Sequence, residues 1–280
     1  MDQEAPDGVF PLVIVGLGQM GSAMAKGIVG AYPQAKGLIF GHDRDPLRVA
    51  EAGAFGLEEA TKLEEILSRA RAVLLALKPL QVLPWLRLYR EALGKDVMLI
   101  SIAAGVPIKA FREVLGEKAH VARVMPNLAV ALRTCPVGVS CEPGFPEEKK
   151  ALLIEALSLV GMPIELEEGQ LDALTALSSS GIAFVWHALE GFAAAGVRLG
   201  LPSSLSRKVA VETFLGAGML AKDEDAASLA SLKERVTTPK GTTMEGLFVL
   251  ERLGLKGILI EAITSAYDRT QTMLPLQKGA

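Results

Sequence analysis
The sequence predicts an α/β fold, with a doubly wound parallel sheet in the N-terminal half and an all-helical C-terminal half. Two observations carry that prediction. From residue 11 to about 165, short β-branched or leucine-rich runs alternate with helical segments, and the runs are near-continuously apolar, as strands covered on both faces must be. After Glu168 the strand pattern stops, and helical patterning continues to the C-terminus. The change falls at a short acidic stretch around 164–169, so domains are expected at 9–166 and 167–280.

In chain order, the expected strands are Leu12–Val15, Leu38–Phe40, Val73–Leu77, Val97–Ile102, His120–Val124 and Val137–Cys141. The helices between them are expected at Gln19–Ala31, Pro46–Gly53, Glu58–Arg69, Leu80–Leu93 and Ile108–Leu115, with Glu147–Val160 following Pro146, a good first-turn residue. The C-terminal half opens with a proline-free stretch from Gln170 to about Leu199 that would run ~45 Å as one helix at ~1.5 Å per residue. Ser178-Ser179-Ser180 and Gly181 weaken its first part and favour a bend. Further helices are expected after Pro202 to near Lys222, over 226–236, after Gly241, and over Lys256–Thr272.

Composition removes several function classes. With 29 Lys+Arg against 32 Asp+Glu, a net charge of −3 and no basic cluster, nucleic acid is not an expected partner. Two cysteines, Cys135 and Cys141, make neither a disulfide framework nor a zinc pattern. His42, His120 and His187 form no HxxxH or HExxH spacing, and Ser178–Ser180 sit in no GxSxG, so no metal is expected. The acidic start, Met1 to Gly8, is unlike a secretory signal and reads as a short disordered arm. A mean hydropathy of +0.34 invites a membrane reading. However, His187 and Glu190 interrupt the most apolar stretch, Ile182–Val197, and a span needs about 20 predominantly apolar residues. The expectation is a soluble, cytoplasmic protein whose surplus of Ala, Leu, Val and Gly is covered by another copy of the chain. Phe192-Ala193-Ala194-Ala195-Gly196 and Leu215-Gly216-Ala217-Gly218 would let such helices approach closely.

The chemistry begins at Leu12-Val13-Ile14-Val15, which leads into Gly16-Leu17-Gly18-Gln19-Met20-Gly21 and then a helix. This is GxGxxG in its strand–turn–helix context, a dinucleotide site of the Rossmann type. Gly16 permits the turn, Gly18 lets a pyrophosphate approach, and Gly21 lets helix and strand pack. The second strand ends at His42-Asp43-Arg44-Asp45, where an acid would pair the ribose 2′-hydroxyl of NAD and an arginine the 2′-phosphate of NADP. Asp43 could equally cap the next helix; NADP(H) is favoured, with NAD(H) possible. Ala76-Leu77-Lys78-Pro79, Ser101-Ile102-Ala103-Ala104-Gly105 and Arg123-Val124-Met125-Pro126-Asn127 end later strands at the same crevice. Near the C-terminus, Thr237-Thr238-Pro239-Lys240-Gly241-Thr242-Thr243-Met244-Glu245 precedes a helix. Thr242 and Glu245 have capping-box spacing, while a hydroxyl-rich turn at a helix N-terminus also suits a carboxylate.

Taken together with Ala176-Leu177-Ser178, these motifs resemble, in order and spacing over roughly residues 10 to 273, the pyrroline-5-carboxylate reductases. The resemblance implies a Rossmann domain followed by a helical dimerisation domain. It also implies reduction of 1-pyrroline-5-carboxylate to L-proline with NAD(P)H. It points to Gly16–Gly21, Arg44, Ala76, Leu77, Lys78 and Ala104 as cofactor contacts, beside Asp43 from the ribose rule. Asn127, Ser180, Thr238, Thr242 and Thr243 fall on the substrate side, with Thr243 or a water relaying the proton to the imine nitrogen. Departures from the usual SGSGPAY place Ser179 for glycine, Ile182 for proline and Phe184 for tyrosine, and Lys240 stands where Pro-Gly-Gly is usual. Related readings are an imine reductase or β-hydroxyacid dehydrogenase with another substrate, or a cofactor-binding regulatory homologue.

Overall fold
The computed structural model describes residues 8–223 and 227–272. Two compact units divide the chain, one holding residues up to Ser179 together with those from Tyr267 onward, the other Ser180–Ala266. The sheet itself ends at Glu165, close to the acidic stretch seen in the sequence.

The first unit is an eight-stranded sheet. Its strands are β1 Leu12–Val15, β2 Ile39–His42, β3 Glu58–Glu59, β4 Ala72–Leu75, β5 Val97–Ser101, β6 Ala119–Met125, β7 Pro136–Cys141 and β8 Met162–Glu165. They lie in the order β3-β2-β1-β4-β5-β6-β7-β8, and every pair is parallel except β6 with β7. Alternate residues of the central strands enter opposite apolar layers. Leu12, Ile14, Leu74 and Met98 join one, and Val13, Val15, Val73 and Leu99 join the other. The first layer is closed by α1 (Gln19–Ala31) and α6 (Glu147–Ser158). The second is closed by α3 (Leu63–Arg69), α4 (Pro79–Tyr89) and α5 (Ile108–Leu115). That two-sided cover is why the strands read as continuous apolar runs. Chain order reverses at β1, flanked by β2 and β4, and the crevice at such a switch point is where ligands of open α/β sheets sit.

The structure amends the expected elements at several places. Glu58 starts no helix: Glu58–Glu59 pair with β2 as a short edge strand, and α3 begins at Leu63. β8 was not foreseen, because Met-Pro-Ile-Glu is a half-exposed edge strand whose proline is tolerated only there. α4 carries Pro84 and stops at Tyr89, short of Leu93. β7 runs antiparallel because only a short segment holding the 3₁₀ turn Leu128–Leu132 joins it to β6, and a parallel return needs a longer crossover. α2, Pro46–Gly53, lies as expected.

The stretch from Gln170 is not one regular helix. A 3₁₀ turn (Glu168–Gln170) leads to α7 (Leu171–Leu174), then to a π-helical turn over Thr175–Ser180 and to α8 (Gly181–Arg198). The wide turn falls on the serine run. There the Thr175 hydroxyl takes the Leu171 carbonyl, and Ser178 and Ser179 bond outside the helix.

The second unit contains α8, α9 (Ser203–Asp223), α10 (Leu229–Arg235), α11 (Thr242–Arg252) and α12 (Leu255–Thr272) as far as Ala266. Ala226, the expected start of α10, lies outside the described residues, as do residues 1–7. α8 and α9 pack through Phe192 on Phe214, edge to face at 5.0 Å between centroids, and through Gly196 on Ser206. Fully buried positions in these helices are Gly181, Ser206 and Ala210 alone among the described residues. Large apolar side chains instead face outward, among them Met219, Phe248, Leu253 and Ile260, each more than 60% exposed. The helical run Glu168–Arg198 is also long and apolar enough, by length and composition alone, to cross a membrane.

Candidate active site
β1 delivers the chain into a loop whose three glycines have separate jobs. Gly16 has φ +92°, and a Cβ there would come within 2.7 Å of the Ala76 carbonyl on the neighbouring strand's exit. At Gly21 a Cβ would overlap the Gly16 carbonyl, so α1 can close on β1 only with glycine at that position. Gly18 has open space: the nearest group to a Cβ would be an Arg48 guanidinium nitrogen at 3.7 Å. Gly18 is also the N-cap of α1 and supplies no side-chain cap, leaving the first-turn N–H groups to an anion. The cradle therefore fits a pyrophosphate.

Around it lies a cleft of about 290 Å³, lined by Gly16, Gly18, Asp43, Arg44, Ala76, Leu77 and Lys78 as the sequence anticipated. Leu17 is buried beneath the loop, Gly21 packs behind it, and Gln19, Met20 and Ala104 are at least partly exposed without lining this cleft. Sequence reasoning missed His42, Arg48, Gln81 and Trp85 in the wall. Their signal is positional: Arg48 is in the first turn after the β2 exit, and Gln81 and Trp85 follow Lys78-Pro79 on α4.

Asp43 does not cap α2. That role belongs to Asp45, which accepts the Leu47 N–H at 3.1 Å ahead of Pro46. Asp43 ties β2 to the glycine loop, accepting the Leu17 N–H at 2.7 Å on one oxygen and the Asp45 N–H at 3.0 Å on the other. Burial pushes its carboxyl pKa up, but the two N–H bonds and Arg48 outweigh it and hold it below the usual value. Each oxygen thus carries one backbone bond. Arg48 pairs loosely with Asp43 at 3.7 Å and Asp45 at 3.5 Å. Burial lowers the pKa of His42, so it is neutral at pH 7 and Arg44, Arg48 and Lys78 set the sign of the cleft.

At the end of β6, Asn127 is 6% exposed and caps the 3₁₀ turn, its Oδ1 accepting the Ala129 N–H at 2.9 Å. Its Nδ2 donates to Ser178 Oγ at 2.8 Å, and the Ser179 hydroxyl donates to the Pro126 carbonyl at 3.0 Å. The turn rests on α1 at Gly27, where any Cβ would overlap the Val130 carbonyl. Four residues earlier, Arg123 is 4% exposed and pairs with Glu168 at 2.9 Å, which also accepts the Ile108 N–H.

In the second unit, the expected capping box does not form. Gly241, not a hydroxyl residue, is the N-cap of α11, and Thr242 is its first helical residue. Thr238, Thr242 and Thr243 are exposed around this N-terminus, and Ser180 is the unit's first residue. Lys240 adopts φ +59°, a left-handed conformation that favours glycine.

Residues 168–273 match the family model described as pyrroline-5-carboxylate reductase dimerisation, and residues 11–105 match that described as NADP oxidoreductase, coenzyme F420-dependent. The chain is 33% identical to pyrroline-5-carboxylate reductase 3 of Danio rerio, with 98% of this chain and 96% of the relative covered. The chain belongs to the pyrroline-5-carboxylate reductase family. The reductase of Methanosarcina acetivorans is 32% identical over 92% of this chain and 96% of its own. Among solved structures, the Plasmodium falciparum pyrroline carboxylate reductase with NADP bound superposes at a TM-score of 0.81 with 26% identity, covering 95% of this chain and 98% of that one. The Coxiella burnetii reductase superposes at 0.85 with 25% identity, covering 94% and 98%.

Proposed function
We propose that this family member reduces the C=N bond of 1-pyrroline-5-carboxylate to give L-proline, the last step of proline synthesis, as a soluble cytoplasmic homodimer. The reductase reading, rather than that of a hydroxyacid dehydrogenase or a silent regulator, rests on the near full-length match to named reductases. The single structural observation that carries it is the open, uncapped glycine cradle beside a basic cleft. NAD(P)H bound there supplies the hydride. The chain's own work is placement and electrostatics. Gly16–Gly21 receive the pyrophosphate, Ala76–Lys78 line the cleft beside them, and Ala104 is assigned to the cofactor by the family motif alone. Asn127 in the first unit, and Ser180 with the Thr238, Thr242 and Thr243 hydroxyls in the second, are each assigned to the substrate, the positive end of α11 favouring its carboxylate. Thr243, or a water it holds, delivers the proton to nitrogen.

NADPH is the preferred cofactor in this reading. Each Asp43 oxygen already accepts one backbone N–H, from Leu17 and from Asp45, which reduces but does not exhaust what it can offer the ribose hydroxyls that an NAD-selecting acid pairs. Arg44 and Arg48 remain beside it for a 2′-phosphate. The homodimer is supported by the outward apolar helices and the dimerisation model over 168–273. Burial between subunits is also the role assigned here to the long apolar run of Glu168–Arg198.

The test is turnover of pyrroline-5-carboxylate by the purified protein with NADPH and with NADH, followed at the nicotinamide absorbance. Cofactor binding with no turnover overturns the proposal. Unaltered rate and pH profile in Thr243→Val would remove that residue from the proton path.

A further inference from the structure
Asn127 is held from more sides than a capping residue needs. Its side-chain carbonyl caps the 3₁₀ turn, its amide donates to Ser178, and the turn it starts is seated on the α1 backbone at Gly27. The peptide plane that joins Pro126 to Asn127 is held on its N–H side, where the Asn127 backbone amide bonds the Cys135 thiol. The Ser179 hydroxyl bonds the oxygen of that same plane at 3.0 Å. Ser178 and Ser179 lie in one π-helical turn, Thr175–Ser180, and this wide turn sends two consecutive hydroxyls to the Pro126–Asn127 corner. Glycine, the usual residue at position 179 in the motif, has no hydroxyl for this bond.

We propose that Ser179 is a positioning residue for substrate binding, acting through Asn127; this rests on the assignment of Asn127 to the substrate side made above. The serine pair fixes the Asn127 amide in one orientation. One Nδ2 hydrogen is spent on Ser178, and the second remains for a ligand. Ser178, having accepted from Asn127, keeps its own hydroxyl hydrogen to donate. The corner thus offers two pre-set donors to an acceptor such as a carboxylate or imine nitrogen, with the ordering cost met in the free protein.

The experiment compares Ser179→Ala, Ser179→Gly, Ser179→Thr and Asn127→Ala in the full chain, measuring kcat and KM for pyrroline-5-carboxylate and, separately, KM for NADPH. Loss of one hydrogen bond predicts an imine KM raised about three- to tenfold in Ser179→Ala and Ser179→Gly, with the NADPH KM unchanged. Ser179→Thr, which keeps the hydroxyl, restores the imine KM. A purely structural role would move both KM values and the melting temperature together, and that result overturns the proposal. Wild-type kinetics in both Ser179→Ala and Ser179→Gly, beside an impaired Asn127→Ala, also overturns it while leaving the substrate assignment standing. Wild-type kinetics in Asn127→Ala would instead bring down the assignment of Asn127 itself, and the clamp with it.

Discussion
Replacing Arg48 by alanine should weaken the proposed preference of the cofactor site for NADPH. In the free protein this side chain is 49% exposed and its ion pairs, 3.7 Å to Asp43 and 3.5 Å to Asp45, are long. Pairs of that kind contribute about 0–1 kcal/mol. A charge-assisted bond to phosphate contributes about 1.5–3 kcal/mol, so turning from the aspartates to a 2′-phosphate gains roughly 1–2 kcal/mol. At about 1.4 kcal/mol per decade this is a five- to thirtyfold loss of kcat/KM for NADPH in Arg48→Ala. NADH lacks the phosphate and should change less than about twofold, since only the weak surface pairs are removed. Steady-state rates with each cofactor at saturating imine give both numbers, and the NADPH penalty should shrink as salt is raised. Arg44→Ala should behave alike, and the double variant should lose the preference. Equal losses for both cofactors would show that Arg48 only supports the loop. No loss for either would place the 2′-phosphate elsewhere.

Three further outcomes concern stability rather than cofactor choice. Arg123→Met leaves Glu168 facing a neutral, apolar neighbour in a site where the arginine is 4% exposed; it should cost about 3 kcal/mol in urea unfolding, and a loss below about 1 kcal/mol would mean the pair is structurally idle. Lys240→Gly relieves a left-handed backbone at φ +59°, worth about 1–2 kcal/mol, against about 0.4–1 kcal/mol of added unfolded-state freedom. Its melting temperature should therefore rise slightly, and a fall by calorimetry would refute the strain. Asp43 has a carboxyl held below its unfolded value of 3.8, so its stabilisation is complete above that value and drains away as pH falls through the lower folded one. Asp43→Asn should flatten the acid limb of thermal stability below about pH 4 and leave neutral pH dependence alone; an unchanged acid limb would contradict the assignment.

Much of the first unit was legible because both faces of its sheet are covered. The resulting apolar runs located β1, β4, β5 and β6, and α1, α2 and α5 fall on the residues expected of them. Edges were harder, since β3 and β8 are short, polar or proline-bearing strands with no alternating signal. Strand direction was not written locally either: β7 reverses because of the length of its connection. In the site, the glycines spoke through spacing, but Asp43 and Asp45 are chemically alike, and only the fold decides which caps a helix and which holds a loop. The same ambiguity misplaced the cap of α11 by one residue, from Thr242 to Gly241. Arg48 and Trp85 went unread because surface arginine and helix tryptophan are common where they have no role in binding.

The scarcity of buried positions in α8–α12 bears on how this enzyme is handled. Where apolar helix faces are sheltered only by a second copy, folding and assembly share one equilibrium, and mass action ties stability to protein concentration. Dilution then acts as a mild denaturant: each tenfold drop removes about 1.4 kcal/mol from the assembled state. Rates taken at nanomolar enzyme and melts taken at micromolar enzyme would then report on two different populations of the same chain.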